Sequence, residues 1–233
     1  MKGWFSRCLP TAVSLSFDEY QRYKFVSELI AKLGGRTILD VGGGAGVVRR
    51  FLKDREILVL DINQGDVIGD GAALPFREGS FDGVISVDAL QYVPPKKREE
   101  FLSELIRVAR RYVIITSPFA EPTMLKAEKE CNQFYRKLYG EDYYWLKDGV
   151  NEGLPEFTQV EEIVGKHQVE IYDNGSLRLW VVMLKLHFLI KRSVLLYPLS
   201  FVLNGIYSGI VYKLMKYQTP SVRQVVLARL GGG

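Results

Sequence analysis

The run Asp40-Val41-Gly42-Gly43-Gly44-Ala45-Gly46 sets an acid ahead of glycines at every second position. Glycine lets a backbone turn tightly and lets a ligand lie against it with no side chain between. Asp61 stands twenty-one residues after Asp40, and an acid at that place can accept two hydrogen bonds from a ribose diol. Gly69-Asp70-Gly71-Ala72 follows. Asp70 can accept from an exocyclic amine, and the small residues after it leave room for a flat base. The set suits an adenosine-type ligand and needs no phosphates. A dinucleotide fingerprint requires glycines at i, i+2 and i+5. Counted from Gly42 the third place is Val47, and from Gly44 it is Arg49, so both fail. The Gly-Lys-Ser/Thr of a phosphate loop is absent. A glycine trio alone would be a generic turn; the two later acids give it chemical direction.

These groups need a scaffold. Thr37–Val41, Ile57–Asp61, Phe81–Val87 and Tyr112–Ser117 are apolar, β-branched runs without alternation. That pattern fits strands covered on both faces, as in a parallel sheet between helices. Asp18–Leu33 has a helical period through Tyr23, Val26, Ile30 and Leu33, with Asp18 as cap and Gly34-Gly35 as stop. Val47–Leu52 reads as a helix start, and a further helix opens at Pro94-Pro95. Strands alternating with helices mean βαβ units. So 18–118 reads as a doubly wound α/β core. Beyond Pro118 the pattern turns helical and aromatic: Thr123–Leu138, then a short helix from Thr158 with a Thr158–Glu161 capping box, a possible strand at Gln168–Tyr172, and one or two long helices over Leu177–Lys216. Val222–Leu230 returns to strand character. The whole chain then reads as one domain, with 119–221 a helical insertion on the acceptor side and 222–230 the final strand.

Taken together, Asp40-x-Gly42-x-Gly44-x-Gly46, Asp61, Gly69-Asp70 with Leu74-Pro75-Phe76, Ser80-Phe81-Asp82 and Asp88-Ala89-Leu90-Gln91-Tyr92-Val93 resemble the class I S-adenosylmethionine-dependent methyltransferases, and more narrowly their type 11 subfamily. The resemblance covers Ile38 to about Ser117. It implies a mostly parallel seven-stranded sheet with an antiparallel last strand, and S-adenosylmethionine as cofactor. Residue by residue, it implies Gly42, Gly44 and Gly46 under the methionine part, Asp40 near the ammonium, and Asp61 on the ribose hydroxyls. Ile62 would pack on adenine and Asp70 accept from its amine, with Gly71 or Ala72 offering a backbone N–H. Asp88 would face the methyl group. Many relatives carry a histidine near the place of Tyr92, but Gln91-Tyr92 stands here, against a histidine base at that site. Asp88 and Tyr92 stand as the catalytic candidates, with packing at least as good a reading of Tyr92; His187 is a third candidate base for which packing is the stronger reading. No Asn-Pro-Pro-Tyr and no Pro-Cys pair is present, which disfavours methylation of amide or adenine nitrogens and of cytosine carbon.

Composition sets further bounds. The 233 residues are 47% hydrophobic and 25% charged, which excludes a disordered or collagenous chain. Two cysteines, Cys8 and Cys131, cannot make a disulfide scaffold, and with two histidines a structural zinc site is not expected. Lys2 and Arg7 precede too short an apolar run for a leader, so a cytoplasmic setting is the expectation. The net charge of +4 is uneven: no acidic residue occurs from Asn174 to Gly233, a segment with eight Lys and Arg. Its apolar stretch 177–216 admits three readings: a lid over the acceptor, a membrane-surface element beside anionic headgroups, or a span over Ser193–Tyr212. Leu146–Pro155 looks like a loop of type 11 relatives linked to polysaccharide and cell-envelope pathways.

The reading that follows is in-line methyl transfer to a small or lipid-linked acceptor, one carrying a sugar included, by a cytoplasmic protein, with a place peripheral to the membrane left open by the three readings of 177–216. An RNA methyltransferase is the enzymatic alternative, although no RNA-binding module is evident. A non-catalytic binding protein on the cofactor fold is another. An NAD-dependent oxidoreductase is disfavoured by the glycine spacing.

Overall fold

The structure, a computed structural model, describes residues 11–146 and 153–231. Lys2, Arg7, Cys8 and residues 147–152 of the Leu146–Pro155 loop lie outside the described residues.

Seven strands form one sheet in the order β3-β2-β1-β4-β5-β7-β6. They are β1 (Thr37–Val41), β2 (Glu56–Asp61), β3 (Val67–Ile68), β4 (Phe81–Val87), β5 (Ala109–Ser117), β6 (Gln168–Ser176) and β7 (Ser221–Arg229). β1 runs parallel to β2 and β4, and β4 parallel to β5. β7 is antiparallel to β5, in register from Tyr112↔Arg229 to Ser117↔Gln224. This is the mostly parallel seven-stranded sheet that the sequence implies. In β1 and β4 every residue after the first is buried, as strands covered on both faces must be. β3 escapes a reading by pattern because it has two residues, which extend the sheet beside Leu60 and Asp61.

The described residues gather into two compact units. One holds 26–120, 153–172 and 223–231, and so nearly all of the sheet. Its core packs Leu39, Val41 and Leu60 of the strands with Phe101, Leu102 and Leu105 of the helix Arg98–Val108. The other unit holds 11–25, 121–146 and 173–222. Its core is aromatic: Tyr135 lies 4.9 Å from both Tyr143 and Phe188, with Phe17, Tyr207 and Tyr212 in the same cluster.

Two helix starts differ from the sequence reading. The cap of the helix Phe17–Leu33 is Ser16, not Asp18: Ser16 Oγ accepts from the Glu19 N–H at 3.2 Å, and Glu19 Oε2 accepts from the Ser16 N–H at 3.1 Å. That reciprocal pair satisfies two end donors. Asp18 lies already inside the first turn, where it pairs with Arg22 at 3.2 Å. The helix Phe157–Val164 is capped by Glu156 with Gln159, not by Thr158 with Glu161. Phe157 packs edge-on against Phe119 at 5.2 Å, which fixes the helix start one residue ahead of Thr158. Val47–Arg50 is a 3-10 turn, shorter than a helix.

The stretch Ser193–Tyr212 is broken into a 3-10 turn at Val194–Leu196, a helix Tyr197–Ile206, a π turn Tyr207–Val211 and a last helical turn Tyr212–Met215. Among the described residues no helix is long and apolar enough to cross a membrane.

Candidate active site

Parallel strands present their carboxyl ends to one edge, where open α/β sheets bind ligands. At that edge Asp40 of β1 is fully buried, and neither of its carboxylate oxygens has a hydrogen-bond partner. Burial pushes its pKa up to about 7; Arg49 lowers it and Asp61 raises it further. Arg49 does not bond to Asp40, because its guanidinium is held by the Ile57 carbonyl at 2.9 Å and by Asp66.

The glycine turn folds over this carboxylate. Gly42 has φ +75°, and a Cβ there would stand 2.4 Å from the Ala89 Cβ. A Cβ on Gly43 would stand 2.2 Å from Asp40 Oδ2. The backbone therefore lies directly on the acid, and only glycine permits it. The alternation that the sequence shows at Gly42, Gly44 and Gly46 coincides with three left-handed residues.

Asp61 ends β2 and is fixed by the same turn. Its Oδ2 accepts from the Gly44 N–H at 3.1 Å, and its Oδ1 from the N–H groups of Asn63 and Gln64 at 3.0 and 3.3 Å. Ile62, next along, is 68% exposed, a free apolar surface at the rim. Asp70 Oδ1 accepts from the Ala72 N–H at 3.0 Å, and its Oδ2 receives Lys97 Nζ at 2.7 Å. Of the two backbone donors offered for a base, Ala72 is thus turned back onto Asp70. Gly71 is packed so closely on Phe101 and Val41 that a Cβ would reach within 2.4 Å of the Phe101 ring.

Asp88, just past β4, has φ +53° and is buried. The Thr116 hydroxyl donates to its Oδ1 at 2.6 Å, and Arg223 Nε donates to its Oδ2 at 3.0 Å. Arg223, one of the eight cations of the acid-free segment 174–233, is 4% exposed and is the buried partner of Asp88. Both oxygens of this carboxylate are therefore already engaged. Its strained backbone and buried ion pair instead fix the loop that carries Tyr92, which is 37% exposed in the turn Leu90–Tyr92. Buried polar atoms without partners also include Ser86 Oγ and Gln224 Oε1, on β4 and β7. Their signal in sequence was faint: polar residues in otherwise apolar strands.

His187 belongs to the helical unit, where burial and Lys191 push its pKa down. Glu128, in the helix Pro122–Tyr139 of that unit, was not singled out in sequence; burial pushes its carboxyl up to about 7. A depression lined by Gly34, Gly35, Lys53, Arg55 and Arg111 lies at the opposite, amino-terminal ends of the strands.

A methyltransferase-domain family profile matches residues 39–115, the span from β1 to β5 that carries these groups. Residues 39–115 belong to the class I methyltransferase-domain family. The chain is similar to the phthiotriol/phenolphthiotriol dimycocerosates methyltransferase of Mycobacterium tuberculosis, 36% identical over 34% of this chain and 35% of that one. It is also similar to phthiotriol/phenolphthiotriol dimycocerosates methyltransferase 1 of Mycobacterium ulcerans, 34% identical over 63% of this chain and 66% of that one. The matched parts thus span between about a third and two thirds of these relatives' lengths. Among solved structures, the magnesium protoporphyrin IX methyltransferase of Synechocystis with bound SAH shares the fold, with a TM-score of 0.53 at 14% identity over 94% of this chain and 86% of that one.

Proposed function

We propose that the chain is an S-adenosylmethionine-dependent methyltransferase acting on a lipid-linked or otherwise largely apolar acceptor. The observation that carries the reading is Asp40: a wholly buried acid without a hydrogen-bond partner, roofed by a glycine turn, suits a cationic ligand laid against that turn. The donor set fits the cofactor in three further ways. Asp61 is pre-oriented by three backbone N–H groups, Ile62 offers apolar surface to an adenine face, and Asp70 offers carboxylate oxygens to an exocyclic amine. The acceptor class is supported by the relatives, whose names state phthiotriol and phenolphthiotriol dimycocerosates.

S-adenosylmethionine supplies, when bound, a sulfonium methyl already activated for transfer. The chain's own part is then chiefly to bind and orient. Asp40 balances positive charge, Gly42, Gly44 and Gly46 give backbone access, and Asp61 holds a diol. Asp88, tied to Arg223, positions the β4 edge, and Tyr92 stands at the rim as the phenol able to meet an acceptor. The enzyme works in the cytoplasm, peripheral to a membrane.

Calorimetric titration with S-adenosylmethionine and its demethylated product tests this. Both should bind, and Asp61→Ala should weaken them by about 1–3 kcal/mol, the cost of leaving hydroxyls without a charged acceptor. Uptake of a nicotinamide dinucleotide with neither compound binding would overturn the reading. Mass spectrometry of small molecules carried through purification would then name the acceptor.

A further inference from the structure

Ordinary surface helices turn polar residues outward. The segment from Leu195 to Tyr217 does the reverse. Leu195, Leu199, Val202, Ile206, Ile210 and Leu214 are all exposed, from 42% at Leu199 to 90% at Leu195. From Leu195 through Ile210 every exposed position holds an aliphatic side chain, a tyrosine, proline or glycine. The opposite face of the same segment is occupied within its own unit. Tyr207 donates to Gln21 at 2.6 Å, Asn204 lies against the Val13 carbonyl at 3.4 Å, and Tyr212 stacks edge-on against Tyr20 at 5.6 Å. The outward stripe is therefore not core.

A π turn lies within that stripe. Val202, Ile206, Ile210 and Leu214 are three successive steps of four residues. On a helix of 3.6 residues per turn these steps would drift by about 120°. The wider turn at Tyr207–Val211 takes up much of the drift, and all four side chains are exposed.

Charge frames the stripe. Lys191 and Arg192 are exposed ahead of it, and Lys213 is exposed near its far end. Lys216 sits over the Tyr217 ring at 4.9 Å. No acidic residue lies between Asn174 and Gly233. Tyr197 and Tyr217, both about half exposed, mark the two ends, where amphipathic rings settle at a lipid boundary. A second copy in a twofold contact would set the same cations against one another, and the segment itself carries no acid to pair them.

We infer that the Leu195–Tyr217 face docks in the plane of an anionic lipid surface, its aliphatic stripe in the acyl boundary and its lysines and Arg192 at the headgroups. The inference deepens the membrane part of the proposed function and commits it to this one face.

Co-sedimentation of the full chain with vesicles, without cofactor or acceptor, tests it. Phosphatidylcholine vesicles containing phosphatidylglycerol should capture the chain, and neutral vesicles or added salt should capture less. Ile206→Glu with Ile210→Glu should cut capture at least tenfold; both positions are exposed, and an unchanged melting temperature confirms the fold. Lys191→Ala and Lys213→Ala should each cost about fivefold, the factor for one cation near an anionic surface. Failure to bind anionic vesicles, or binding that the double glutamate variant leaves intact, overturns the inference. So does a dimer in sedimentation velocity that the same variant dissolves, which would make the face a self-contact. Cofactor calorimetry is independent of every arm, so loss of the docking face and loss of the methyltransferase reading are told apart.

Discussion

Asp40→Asn removes a charge that the fold holds at a cost. Burial raises its carboxyl from 3.8 to about 7. At about 1.36 kcal/mol for each tenfold change in proton affinity, the ionised form destabilises the folded chain by about 4 kcal/mol at most. The sign follows from the raised value. Below pH 4 the group is protonated in both the folded and the unfolded chain, and the penalty is absent. It grows between pH 4 and pH 7 and is fully present above that. Asparagine keeps the shape without the charge. At roughly 2–4 °C per kcal/mol for a chain of this size, the variant should melt on the order of 10 °C higher than the wild type at pH 8, and within about 2 °C of it at pH 4. The same change should weaken S-adenosylmethionine binding at least tenfold, because the buried anion that balances its charge is gone. In the wild type the ionised fraction of Asp40 rises about fivefold from pH 6 to pH 7, and affinity should follow, while the variant stays flat. Scanning calorimetry at three pH values with titration calorimetry reads all of this. A variant that is no more stable at pH 8 than the wild type, or that binds the cofactor normally, refutes the assignment of Asp40.

Asp88→Asn should lower stability by about 3–5 kcal/mol, as breaking a buried ion pair does, and pairing it with Arg223→Met should restore most of that; chemical denaturation measures both, and a neutral single variant would count against the pair. Asp82 is different: Arg110 and the N–H groups of Arg36 and Thr37 hold its carboxyl well below the usual carboxylate range. Its contribution is present above pH 4 and lost as pH falls below it, so Asp82→Asn should cost about 1–3 kcal/mol at pH 7 and flatten the acid limb of a melting-temperature profile.

Local patterns in the sequence disclosed the strands and the glycine turn, because the chemistry there lies within a few residues. Asp40 and Asp61 were found by their distance from that turn. Asp88 and Arg223 meet across 135 positions, and no local pattern links an acid after one strand to an arginine in another. The apolar character of 177–216 was visible in the sequence, yet apolar content does not say whether a face turns inward or outward. Ser16 was missed as a cap because Asp18, two residues on, is also a good capping residue. Ser86 and Gln224 were lost among their apolar neighbours, since a polar residue in a buried strand gains meaning only when its partners are known to be missing.

The pairing of Asp88 with Arg223 has a consequence for how the chain comes into being. The acid is made 135 residues before its cation, which sits on β7. Until β7 slots in beside β5, the β4 edge carries a lone negative charge that water must keep. Burial of that edge therefore waits for β7, and a nascent chain that stops short of β7 would hold an open and acid-lined gap there.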